Sequence, residues 1–140
     1  MGVDDLSQDF SLKQAVQRLG KFAWTLALFA IVPLIMLYVF GFSAKNTEEY
    51  ACALRTAEQN AEVSAIIGDP LMPGLFAWTS YFESGGGLRQ GRFSTSVSGP
   101  RGKGTLIVEF YRTPVGATLG LWLKTGGEEI TIYYGDYPCR

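Results

Sequence analysis

The hydrophobic pattern divides the chain into three stretches. From Phe22 to Phe42 it reads FAWTLALFAIVPLIMLYVFGF, 21 residues without a charge. A helix of that length spans about 31 Å, close to the thickness of a bilayer's hydrocarbon. Lys21 and Lys45 bracket the run, where long cationic side chains snorkel to the interface. Trp24 and Tyr38 stand near its ends, where amphipathic rings settle. Pro33 interrupts the middle, which membrane helices tolerate. A cleavable signal has a shorter apolar core and a small-x-small site, and Gly41-Phe42-Ser43-Ala44 is a poor one. The pattern therefore predicts an uncleaved transmembrane helix over 22–42, after a polar segment 1–21. In that segment Ser11 with Gln14 makes a capping box, which predicts a brief helix from Leu12 running into the span.

The second stretch is helical. Asn46 followed by Glu49 is an N-cap pattern. Tyr50, Leu54, Ala57, Ala61 and Ala65 recur at steps of four and three, one apolar stripe. Gly68 and Pro70 close this single predicted helix. In the third stretch the period becomes two. Phe76, Trp78, Ser80 and Phe82 alternate with Ala77, Thr79, Tyr81 and Glu83. Phe93, Thr95 and Val97 share a face of the next strand, about 88–98. Leu106, Val108 and Phe110 do the same, as do Leu119, Leu121 and Leu123, and a last strand covers Ile130–Tyr134. Gly85-Gly86-Gly87, the segment 98–104 and Gly126-Gly127 read as turns. The expectation is an α+β domain over 46–140: one helix packed on one face of an antiparallel β-meander of about 4–5 strands.

Composition narrows the function. At 140 residues the chain holds one domain plus an anchor. Charged residues are 18%, below the roughly 25% of soluble domains, which agrees with a membrane segment. Twelve Lys and Arg against 13 Asp and Glu leave no basic footprint, so nucleic acid is not an expected partner. The absence of histidine excludes His-based catalysis and His-ligated haem or zinc within this chain. Lys13, Arg18 and Lys21 precede the span while Lys45 and Arg55 follow it, a weak vote for a cytoplasmic N-terminus and an exported domain. The early acids Asp4, Asp5 and Asp9 argue against a mitochondrial presequence. A bacterial inner membrane with a periplasmic domain is thus expected first. A mitochondrial inner membrane facing the intermembrane space is the alternative.

Candidate chemistry is sparse. Cys52 and Cys139 both fall in the exported part, where they either pair or remain one buried and one terminal thiol. The turn SGPRGKG is not a phosphate-binding P-loop, since its spacing is wrong and strands flank it. Arg101 and Lys103 read as solvated charges on a hairpin tip, with glycines supplying positive φ. Glu128 and Glu129 are adjacent rather than opposed. No catalytic, metal or cofactor residues are expected, and the chain is not expected to be an enzyme. Tyr81, Tyr111, Trp122 and Tyr133 read either as half-buried cross-strand aromatics or as a partner-binding face.

Three stretches carry a resemblance. They are the helix ALRTAEQNAEVSAIIGDPL, the hairpin FSTSVSGPRGKGTLIVE with Gly99, Gly102 and Gly104 in its turn around Arg101, and the closing pair LGLWLKTGGEEITI. In this order, after a single span, they resemble the cytochrome oxidase complex assembly protein 1 family. That family's fold is similar to the intermembrane-space domain of a mitochondrial presequence-translocase subunit. The resemblance implies a single-pass, non-enzymatic protein that aids cytochrome c oxidase biogenesis. Its partners would be the lipid bilayer and a membrane-protein complex or its assembly intermediate, met through an open sheet edge or the aromatic face. A permanent accessory subunit is the second reading; Ala23, Ala27 and Ala30 give a packing stripe for it. A copper or haem chaperone built on the two thiols is the third.

Overall fold

The computed structural model describes residues 3–139; the side chains of residues 3–13 and 15 lie outside the described residues, and with them the Ser11 half of the expected capping box. Two compact units divide the chain after Leu37.

The first unit is helical. Helix α1 runs Val3–Gly41 with Pro33 inside it. It therefore starts well before Leu12, and Ser11 lies within it rather than at its start. Its stretch Val16–Gly41 has a mean hydropathy of 2.3 and is long and apolar enough to cross a membrane. The large apolar side chains along it, from Val16 to Phe40, are exposed, as an anchor requires and a soluble core helix forbids.

The second unit is an α+β domain. A 3₁₀ turn, Ser43–Asn46, leads into helix α2 (Glu48–Glu58) and helix α3 (Ala61–Ile66). Strands β1 (Met72–Gly85), β2 (Leu88–Ser98), β3 (Lys103–Thr113), β4 (Gly116–Thr125) and β5 (Glu128–Asp136) follow. They form one antiparallel sheet in the order β1-β2-β3-β4-β5. Each connection joins neighbours, the least entropic cost for a five-stranded sheet.

The single predicted helix is two. Thr47, not Asn46, caps α2: its hydroxyl accepts from the Tyr50 amide. Asn60 breaks the continuous stripe by capping α3, accepting from the amides of Glu62 and Val63. Its amide nitrogen also donates to the Ile132 carbonyl on β5 at 3.2 Å. The interruption rotates the stripe. Glu49, Tyr50, Cys52, Ala53 and Ala57 are buried on α2, whereas Ala61 and Ala65 are exposed.

The core lies between these helices and one sheet face. Phe93 and Val97 of β2, Leu106, Val108 and Phe110 of β3, and Leu119, Leu121 and Leu123 of β4 are buried there with Ile67 and Val63. Three register shifts interrupt the alternation, one between Pro73 and Ala77 and two that move side chains of interest. Ser80 is an extra residue on β1, so Thr79 opposes Phe93 but Tyr81 opposes Arg92. Ile132 is an extra residue on β5, so Tyr133 opposes Leu121 while Thr131 opposes Trp122. Residues after a bulge swap faces, which a strict period of two does not show.

Candidate functional site

Three features carry polar or aromatic chemistry in the domain. The first is a buried carboxylate. Glu49 has no exposed surface. Its Oε2 accepts from Arg89 at 3.1 Å and its Oε1 from Arg112 at 2.9 Å. Arg112 also reaches Glu48 at 3.1 Å, and its guanidinium lies 5.0 Å from the Tyr137 ring centre. Arg89 lies 5.6 Å from the Phe82 ring. The hydrogen bonds to Glu49 and Glu48 raise the Arg112 pKa further, so it stays charged. Burial, then the Glu49 charge, pushes the Tyr137 phenol up. The buried Arg89 Nε has no hydrogen-bond partner among the described residues, while the carboxylate is paired on both oxygens. That suits a structural ion triad that closes one end of the core.

This triad was missed in the sequence, although two signals mark it. Glu49 stands three and four residues before Cys52 and Ala53 on the buried stripe of α2. Arg112 extends the inward series of β3 by one step, and Arg89 extends that of β2 by two, past Gly91.

The second feature is the Cys52–Cys139 disulfide, with Cα atoms 5.7 Å apart. The C-terminal tail leaves β5 and stays beside β4, where the Tyr137 amide donates to the Ala117 carbonyl at 2.9 Å. The bridge then fastens it to α2. Joined in this way, the two sulfurs are not thiolates for a metal.

The turn SGPRGKG packs on the end of α3. The amides of Arg101 and Gly102 both donate to the Ile67 carbonyl, at 2.9 and 3.2 Å. Gly99, Gly102 and Gly104 do not have positive φ; the positive values fall at Gly68, Gly86, Gly87, Gly126 and Gly127. The expected reason for these glycines is therefore corrected to close approach. A Cβ on Gly99 would lie 2.6 Å from the Ile67 carbonyl oxygen, and one on Gly104 2.9 Å from the Leu123 side chain. Arg101 and Lys103 are exposed. The arrangement caps a helix and offers no anion pocket.

The third feature is the sheet face opposite the helices, which the described elements leave open except at its β1 end, where Gly41 at the close of α1 and the Phe76 ring lie against Trp78. Trp78 and Tyr81 of β1, Tyr111 of β3, and Tyr134 of β5 are exposed on it, with Ile107 and Trp122 half-buried between them. The Trp122 ring lies over Gly120, where a Cβ would meet it at 2.4 Å, and 6.2 Å from the Tyr134 ring. A side chain at 120 would lift the ring; glycine lets it lie flat across the strands. Arg92 and Glu109 pair weakly beside Tyr81 at 3.8 Å. Of the expected aromatics, Tyr81, Tyr111 and Trp122 gather on this face. Tyr133 does not: the Ile132 bulge turns it toward the core, where its hydroxyl donates to the Asp136 carbonyl. Tyr134 takes its place, 78% exposed.

Both sheet edges are partly closed. The Lys45 ammonium donates to the carbonyls of Gly74 and Leu75 on β1, at 2.7 and 3.1 Å. Asn60 occupies a β5 carbonyl in the same manner. Edge pairing with a partner strand is therefore blocked at these points, and the aromatic face is the more open surface. Among the described residues, no cluster of three or more Cys, Asp or Glu is placed to hold a metal ion.

Comparison with known protein families, with curated proteins and with solved structures finds no match to this chain.

Proposed function

We propose that this chain is a single-pass membrane protein whose exported domain works by contact, its uncovered aromatic face receiving another membrane protein. One observation carries the reading: four aromatic side chains, Tyr81, Tyr111, Trp122 and Tyr134, share the open part of one sheet face. Tyr and Trp are enriched where one protein meets another, because large rings bury much surface for little lost freedom. The anchor confines both partners to one membrane and raises their effective concentration.

The Cys52–Cys139 bridge supports an oxidising compartment for the domain. With the cationic bias before the span, this favours a bacterial inner membrane, N-terminus inside and domain in the periplasm. The resemblance to the cytochrome oxidase complex assembly protein 1 family supplies the partner class: an assembly intermediate of a respiratory complex, cytochrome c oxidase first.

The test is purification of the tagged full-length chain in mild detergent from membranes that are making oxidase. Unfinished oxidase subunits, enriched with the wild type and depleted with a Tyr111→Ser/Trp122→Ser variant, are the expected result. Equal recovery of both variants, or recovery of one mature complex at fixed stoichiometry, overturns the assembly role.

A further inference from the structure

Below the bulge of β1 the domain opens into a cleft of about 490 Å³. Its walls include Val39 and Phe40 on one side and Thr79, Phe82, Phe93 and Phe110 on the other, all within the second compact unit. Phe82, Phe93 and Phe110 form a chain of rings, with centroids 6.3 and 6.4 Å apart. The extra residue Ser80 lies in the cleft wall between Thr79 and Tyr81.

We propose that this cleft receives an acyl chain of a membrane phospholipid. The inference rests on the anchor reading above. Val39 and Phe40 are the final residues but one of the apolar helix, so the cleft begins where the hydrocarbon ends. Acyl chains are the apolar groups already present there at high local concentration. The size fits: with a methylene taking about the volume of one water, roughly 30 Å³, the cleft holds on the order of a dozen methylenes. A partner's helix, about 10–12 Å across, would find room for roughly a single turn.

The experiment uses the full-length chain in vesicles of phosphatidylethanolamine and phosphatidylglycerol. The vesicles carry a phospholipid with a diazirine on one acyl chain. Flotation reports anchoring; irradiation and peptide mapping report where the acyl chain lies. Cross-links on α1 and also on Thr79–Phe82, Phe93 or Phe110 are expected. Thr79→Phe fills the cleft from its wall and is expected to lower the domain cross-links at least fivefold while leaving those on α1 before Tyr38 unchanged. Ser43→Trp, an exposed rim position, makes the same prediction if the first variant does not fold. Flotation with cross-links confined to α1 before Tyr38 overturns the cleft and leaves the anchor standing. A chain that fails to float overturns both.

Discussion

Arg89 and Arg112 stand directly opposite each other on neighbouring strands, two like charges that repel unless something lies between them. Glu49 is what lies between them, one carboxylate oxygen on each guanidinium. The three residues come from a helix and two strands far apart in sequence, so the triad forms only when α2 docks on the sheet. Removing the acid exposes the repulsion as well as losing two charge-assisted hydrogen bonds. Glu49→Gln is expected to cost about 3 kcal/mol, read from urea unfolding of the detergent-solubilised chain. Because the two arginines are still partly solvated, Glu48→Gln at the rim should cost less than about 1 kcal/mol.

The disulfide links residues 87 apart. Opening it frees the tail and enlarges the unfolded ensemble. Reduction, or Cys139→Ala, is expected to lower stability by about 2–4 kcal/mol. The Tyr137 ring should then leave Arg112, which near-ultraviolet circular dichroism would follow. Unchanged unfolding in reductant would contradict the bridge's role.

Alkaline pH should destabilise the domain in a defined direction. Burial raises the Tyr50 phenol above its ordinary 10.0, against a smaller pull from Thr95, and burial followed by Glu49 raises Tyr137. The unfolded chain loses these protons near pH 10 while the folded chain still holds them. Stability is therefore full below pH 10 and falls as pH rises through and beyond it. The Tyr50 hydroxyl is buried, and among the described residues it makes no hydrogen bond of good geometry. Tyr50→Phe should thus stay within about 1 kcal/mol of wild type at neutral pH and show a weaker alkaline decline, measured by unfolding at pH 7 to 11.

The glycine turn separates backbone packing from charge. Gly99→Ala places a methyl 2.6 Å from the Ile67 carbonyl oxygen, and is expected to cost about 1–3 kcal/mol. Arg101→Ala, on an exposed side chain, should change stability by less than about 0.5 kcal/mol. The reverse order would mean that the charge, not the backbone, is what this turn supplies.

Much of the architecture was legible because it follows from periodicity. The uncharged run, the inward series Phe93–Val97, Leu106–Phe110 and Leu119–Leu123, and the turns at Gly86 and Gly126 all appear in the structure as read. What was not legible depends on one-residue events. Asn60 ends a stripe that otherwise runs on, because its side chain caps a new helix and holds β5 at once. The Ile132 bulge exchanges Tyr133 for Tyr134 on the open face. The acid triad needed three partners from separate elements, and no local pattern states that they meet. The pairing of Cys52 with Cys139 likewise required the tail's path beside β4.

The proposed function depends most on the open aromatic face being the surface that meets a partner. Photocrosslinking in intact membranes tests it directly, with a benzophenone amino acid placed at Tyr111, at Trp122, or at Glu58 on the exposed side of α2. A discrete cross-linked species from 111 and 122, absent from 58, is predicted. Silence at 111 and 122, or the same species from all three positions, would contradict it.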